Sequence, residues 1–336
     1  MALNLREVST APHFLDRPDI TPRQKQAGYA MAIASSALFS LKAVIIKLAY
    51  TPAEGEPQAA LEPIVILMIR MGFALPVYIA ILIYALRAGE RQKLSLRPVL
   101  AAVGLGAVGY YLCALLDFTG LVYITAQLER LLLFTYPVFV LILGALFFGV
   151  KLSRYGIVSI FIAYLGLAVI FAGGDIASGK NVALGSALVL GCAVLFAGFQ
   201  IFAKPVIDRI GSRLFTCIAM ISAGGAVLLH FMLSRAVVGE GMMSALSLPP
   251  RVIMLGAVLG ICCTVIPSFL MNIAIGRVGA QAVATLGMIS PVLTIVAAVY
   301  VLGEPFGLID GLGTLLTIFG IGLFTFFDKK RAKAPA

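Results

Sequence analysis

Four ionisable residues stand well inside long apolar runs, away from their ends: Lys42, Arg70, Glu129 and Arg130. If those runs cross a bilayer, a charge facing lipid near mid-membrane costs at least about 2.5 kcal/mol, so each group must face a protein interior or water. Lys42 lies eight residues before its run ends at Tyr50, Arg70 about seven residues into the next run, and Glu129–Arg130 about five or six into the fourth. At a helical rise of about 1.5 Å per residue these depths agree, at roughly 7 to 12 Å below one set of helix ends. Asp117, at the end of the third run, borders the same layer.

Two kinds of chemistry fit such a layer. The charges can neutralise each other, with Glu129 pairing to Lys42 or Arg70 and holding helices together. Alternatively they line a cavity, where the surplus of basic groups leaves a positive charge for a carboxylate or phosphate. Arginine suits planar oxyanions through its fork of donors, whereas lysine acts as a point charge. Glu129 and Arg130 are adjacent and so about 100° apart on a helix, which sends one to the cavity and the other to a neighbouring helix. Read as the only carboxylate inside a span, Glu129 is the candidate for proton coupling. The second half offers neutral groups instead. Gln200, Asn272 and Gln281 serve either as interhelical hydrogen-bond partners or as contacts to cargo, and His230 as an interface residue. Tyr110, Tyr111 and Phe196 supply aromatic walls or simple packing.

Enzymatic chemistry finds little support. The chain lacks HExxH and GxSxG, and its two histidines, His13 and His230, are far apart in sequence. It also lacks GxxxxGK[ST], so no nucleotide-driven pump is encoded. The five cysteines all fall in apolar runs with no ligand spacing, and read as small buried hydrophobes. No cofactor and no metal is expected.

The elements that must position these residues follow from composition. Of 336 residues, 61% are hydrophobic and 12% charged, against about 25% charged in a soluble domain. Apolar runs of about 18 or more residues recur, each able to span a bilayer, and they lack the alternation of barrel strands. The class is an all-α polytopic membrane protein. The runs predict ten spans: about 27–50, 64–86, 99–118, 125–150, 155–172, 182–203, 214–233, 252–275, 282–302 and 307–327. The net charge of +10 is spread over the ends of these runs, which argues against a nucleic-acid face. With the N-terminus in the cytoplasm, 18 Lys and Arg fall on the cytoplasmic side and only Lys180, Arg235 and Arg251 on the other, which places both termini inside.

The chain also repeats itself. An offset of 154 residues carries Gln127 onto Gln281, Pro137 onto Pro291, Gly149 onto Gly303 and Gly166 onto Gly320; an offset of 157 carries Phe39 onto Phe196 and Lys47 onto Lys204. Five spans per half invert the second half relative to the first, a common basis for two conformations open to opposite sides. The expected organisation is a polar cytoplasmic tail (1–26), a first five-helix repeat (27–174), a connecting loop (175–181), a second repeat (182–327) and a basic tail (328–336). Pro137 and Pro291 predict equivalent helix bends, since proline removes a backbone donor and clashes with the preceding turn.

On two five-helix repeats, Arg70 within LMIRMGFALP, the fourth-run signature LLLFTYPVFVLILGALFFG and the ninth-run LGMISPVLTIVAAVYVLGEP, the sequence resembles the drug/metabolite transporter superfamily, in particular its EamA-type members. The resemblance implies a ten-helix carrier with a central cavity, typically exporting amino acids or other small metabolites. Glu304 matches an acidic residue such proteins often carry after the ninth helix; Val150-Lys151 departs at the first repeat's equivalent place. The functional expectation is a secondary transporter of a small carboxylate-bearing or zwitterionic, amino-acid-like metabolite, working by alternating access across a bacterial inner membrane and exporting by family analogy. Its partners would be that small molecule, membrane lipids and H+, with no nucleic acid, in a monomer or homodimer. A lipid-linked or phosphorylated-metabolite translocator is the alternative within transport, and a non-transporting receptor or scaffold the alternative outside it.

Overall fold

The structure, a computed structural model, describes residues 21–52, 61–90, 94–148, 154–173, 175, 177–238, 248–279, 282–283, 286–287 and 289–331. Most of both tails, Gly149 to Ser153, Met242, Met243 and Leu246 of the long connection, and Gln281 lie outside those residues. All regular structure among the described residues is helical.

Helix α1 (Pro22–Tyr50) starts more than a turn before the apolar run does. Thr21 Oγ1 accepts from the Gln24 amide at 3.3 Å while Gln24 Oε1 accepts from the Thr21 amide at 3.0 Å. This capping box, with Pro22 in the first turn, recruits polar residues that the expected tail had claimed. Helix α2 (Pro63–Arg87) carries Pro76 inside it. Helix α3 (Leu96–Tyr123) runs a turn further than its apolar pattern and widens into a π turn at Ala107–Leu112.

The fourth run is not one helix. It divides into α4 (Ala126–Leu133) and α5 (Tyr136–Phe148), with the break at Phe134 and Thr135. Pro137 is the second residue of α5, where its missing amide costs nothing, and the Leu132 carbonyl at the break accepts from both the Thr135 amide at 3.1 Å and Thr135 Oγ1 at 2.7 Å. The proline that predicts a bend thus marks an interruption.

Helix α6 spans Arg154–Gly173, and α7 (Val182–Ile210) passes through Pro205 instead of ending there. Lys204 Nζ binds both oxygens of Asp208 at 2.7 and 2.6 Å across that turn, and Gly211, at φ 84°, ends the helix. Helices α8 (Ser212–Val238) and α9 (Pro250–Val278) follow, the latter with a π turn at Ile261–Val265. Helix α10 (Ile289–Ala297) has Pro291 as its third residue and continues into a π turn, Ala298–Leu302; α11 is Leu308–Arg331.

Helices α1, α2, α3, α7, α8 and α9 are each long and apolar enough to cross a membrane, and α6, α10 and α11 add shorter apolar stretches. The principal pairings are α1 with α9, α2 with α8, α3 with α7 and α6 with α11. The last is a glycine-mediated contact: a Cβ at Gly166 would stand 2.5 Å from the Gly313 carbonyl oxygen, and one at Gly320 2.4 Å from the Ala163 nitrogen.

Tyr84, Phe161, Leu312, Leu315 and Phe319 point outward on different helices, whereas Arg70, Asp117, Glu129 and Arg130 are buried. An apolar exterior around a charged interior is the arrangement a hydrocarbon solvent imposes. The protein is an integral multi-pass membrane protein.

At one end of the bundle Tyr50 Oη donates to the Phe118 carbonyl, Arg251 donates to the Thr51 and Leu48 carbonyls, and Arg235 pairs with Glu62. At the other end Arg213 meets Glu90 at 2.9 Å. The charged layer lies nearer the Tyr50 end.

Candidate substrate cavity

Helices α1, α2, α3 and α7, the α4–α5 break and parts of α9 enclose a cavity of about 150 Å³. Of the residues picked out by sequence, Lys42, Arg70, Tyr110, Asp117, Arg130, Phe196 and Gln200 line it.

The pairing inside the layer differs from the expected one. Lys42 Nζ donates to Asp117 Oδ2 at 2.5 Å, and Glu129 pairs with neither Lys42 nor Arg70. Because α3 extends to Tyr123, Asp117 lies well inside a span and is a second intramembrane carboxylate; Glu129 is not alone there. Arg130 Nη2 donates to the Phe39 carbonyl at 2.8 Å, and its Nε lies 3.7 Å from Glu129 Oε2.

The two adjacent charges part company as the helical geometry requires. Arg130 faces the cavity, while Glu129 is fully buried outside its lining, beside Asp117, and neither of its oxygens accepts a hydrogen bond.

Arg70 stands differently from the other cations. No carboxylate among the described residues comes within ion-pairing distance of it, its Nε has no hydrogen-bond partner, and it lies over the Phe118 ring with 5.0 Å between Cζ and the centroid. A cation–π contact of this kind offsets only a fraction of a guanidinium's desolvation. Three cations and one carboxylate therefore face the cavity, and Arg70 is the cation of the three with no ion-pair partner among the described residues.

Tyr111 and Asn272 lie off the lining. Tyr111 Oη and His230 Nδ1 share a hydrogen bond of 3.0 Å between α3 and α8, which makes His230 an interface residue. Asn272 Nδ2 donates to Tyr110 Oη at 3.0 Å and to Thr216 Oγ1 at 2.8 Å, a junction of α9, α3 and α8. Asn272 thus reaches the cavity only through Tyr110. Gln200 stands beside Tyr136 with its Oε1 unpaired.

Several lining groups escaped sequence reasoning. Ser35, Ser36 and Ser290 add hydroxyls, and Cys113, Cys192 and Cys263 add thiols. Adjacent serines in an apolar run carry a faint polar signal; cysteine, read as a hydrophobe, carries none.

Glu304 has a structural role that its position alone could not reveal. Its carboxylate accepts from the Ala126 amide at 2.8 Å and the Gln127 amide at 3.2 Å, and Gln127 Nε2 donates to the Pro305 carbonyl at 3.1 Å. A residue following α10 thus caps the N-terminus of α4, the helix that carries Glu129 and Arg130.

A cavity carrying a few charged groups and enclosed by membrane-spanning helices fits a membrane transporter. The chain belongs to the EamA-like transporter family, whose model matches twice, at residues 26–172 and 183–326. It is 30% identical over 292 residues to a Bacillus subtilis (strain 168) protein named "Uncharacterized transporter YcbK", covering 87% of this chain and 90% of that one. It is 25% identical over 233 residues to the Synechocystis sp. "Uncharacterized transporter sll1319", covering 68% of each. A solved crystal structure superposes with a TM-score of 0.62 at 16% identity, covering 92% of this chain and 99% of the other, and so shares the fold.

Proposed function

We propose that the protein is a secondary transporter that moves a small carboxylate-bearing or zwitterionic metabolite across a bacterial inner membrane. It works by alternating access between two inverted five-helix repeats, ten spans in all, with both termini cytoplasmic. The observation that carries this reading is Arg70, a buried guanidinium at the cavity with no carboxylate partner among the described residues. Its fork of donors suits a planar oxyanion. Lys42 is held by Asp117 and Arg130 by the Phe39 carbonyl, so they raise the local potential without being released from their partners.

Export is the direction that family analogy favours. Glu129 is the candidate proton site, since it is fully buried and its oxygens accept no hydrogen bond. Glu129→Gln should then uncouple flux from a pH gradient while leaving the folded protein extractable; unchanged pH-driven flux would remove it from that role.

The direct test of the main reading is a binding screen of anionic and zwitterionic metabolites on purified protein, wild type against Arg70→Ala. Loss of a charge-assisted hydrogen bond of about 1.5–3 kcal/mol should weaken the true ligand by at least about tenfold. If no anion or zwitterion binds in an Arg70-dependent way, the reading is wrong.

A further inference from the structure

The cavity wall is not uniform along the bundle axis. Counted from the Tyr50 end, Lys42, Arg70, Asp117 and Arg130 lie about 6 to 12 Å in, whereas Phe134, Tyr136, Phe39 and Phe196 lie about 12 to 21 Å in. By backbone position one level is therefore cationic and the next aromatic, with the Arg130 side chain reaching from the first to the Phe39 carbonyl in the second. Three of the rings form a connected group: Tyr136 meets Phe196 edge-on at 5.1 Å between centroids and Phe134 edge-on at 6.0 Å. Phe134, four residues after Arg130, shares the face that the helix turns to the cavity, and the break after α4 lets Tyr136, six residues after Arg130 and off that face in an unbroken helix, join it on the wall.

From this polarity we infer that the cargo is an arene joined by a short chain to a carboxylate, and that it carries no ammonium group next to that carboxylate. The inference rests on the proposed function and narrows its substrate. The carboxylate would meet the Arg70 fork while the ring enters the level of Phe134, Tyr136 and Phe196, where aromatic faces and edges pack well. An α-ammonium would have to sit within two bonds of the carboxylate, among Lys42, Arg70 and Arg130. Among the described residues the one carboxylate lining that level is Asp117, whose Oδ2 is engaged by Lys42 at 2.5 Å and whose unpartnered Oδ1 is buried, with Glu129 close by. A further positive charge there meets three like charges against one carboxylate whose charge Lys42 already balances.

The test uses the full-length protein in lipid nanodiscs and three probes measured by calorimetry: 3-phenylpropionate, phenylalanine and propionate. 3-Phenylpropionate should bind at least about tenfold more tightly than either of the others, from ring burial in one comparison and from the excluded ammonium in the other. Arg70→Ala should abolish that binding. Phe196→Ala should weaken 3-phenylpropionate and leave propionate unchanged, and Phe196→Leu, which keeps the bulk, guards against a collapsed cavity.

Propionate matching 3-phenylpropionate, with Arg70 still required, would overturn the aromatic assignment and leave the transporter reading intact. Phenylalanine matching it would overturn the exclusion of the ammonium and likewise leave that reading intact. Binding of any probe that survives Arg70→Ala undiminished, or no binding at all, would overturn the inference together with its basis.

Discussion

The two halves of the chain share a frame and differ in what they place on it. The offset of 154 that matches Pro137 to Pro291 also carries Ala107 to Ile261, the first residues of the π turns in α3 and α9. A π turn shifts helix register by one residue, and each of these brings groups to the cavity: Gly109 and Tyr110 in α3, Cys263 and Thr264 in α9. On that common frame the first half sets Lys42, Arg70, Asp117, Glu129 and Arg130, and the second sets Gln200, Ser268 and Asn272. Both halves bring rings and hydroxyls to the cavity, but its charged groups come from the first half, while the second half lines it with uncharged groups such as Phe196, Gln200, Thr264, Ser268 and Ser290. A duplicated scaffold can keep its backbone irregularities while its two linings specialise, because helix register is set by backbone geometry and lining chemistry by single side chains.

The ends differ as well. Glu304 caps the start of α4, whereas the offset places Val150 in its position in the first half. A short helix of eight residues gains much from such a cap, and this one reaches from one repeat to the other.

The sharpest way to break the contrast is to remove its charge pairing. Asp117→Asn leaves Lys42 buried without its partner and should cost about 3–5 kcal/mol at most, reduced because Lys42 borders the cavity. Replacing both, as Lys42→Met with Asp117→Leu, should recover most of that loss. Thermal unfolding of the purified variants measures both, and a double variant no better than the single one would show that the pair is not the source of the cost.

Glu304→Val makes the two ends alike. It should cost about 1–2 kcal/mol through the lost cap, with faster hydrogen exchange at Ala126 and Gln127 as its local signature. Exchange unchanged at those amides would rule out the cap as a stabilising contact.

The neutral half should yield the smallest effects. Asn272→Leu, scored in a double-mutant cycle with Thr216→Val, should show a coupling near 0.6 kcal/mol and no more than about 1.7. A coupling of several kcal/mol would show that the second half, too, depends on strong polar pairing.

How much could be read beforehand depends on the kind of signal. Hydropathy placed α2 within a residue at each end and identified the depth of Arg70. It misplaced the end of α3 because Asp117 interrupts the apolar pattern, and that error hid the partner of Lys42. It missed the start of α1 because a capping box works through Thr21 and Gln24, which carry no hydropathy signal. For Glu129 and Arg130, helical geometry alone required opposite directions, and the structure decided that the arginine faces the cavity.

By itself, then, the sequence determined the solvent, the helical class, the internal duplication and the presence of a charged layer, since all four are properties of composition and spacing along one dimension. Tertiary structure alone decided which charges pair, that Arg70 has no carboxylate partner among the described residues, and that Glu304 reaches across to α4. Pairing depends on distances between helices far apart in sequence, and a change of one helical register, at a π turn or at a break, redirects a side chain without altering the pattern from which the helix is read.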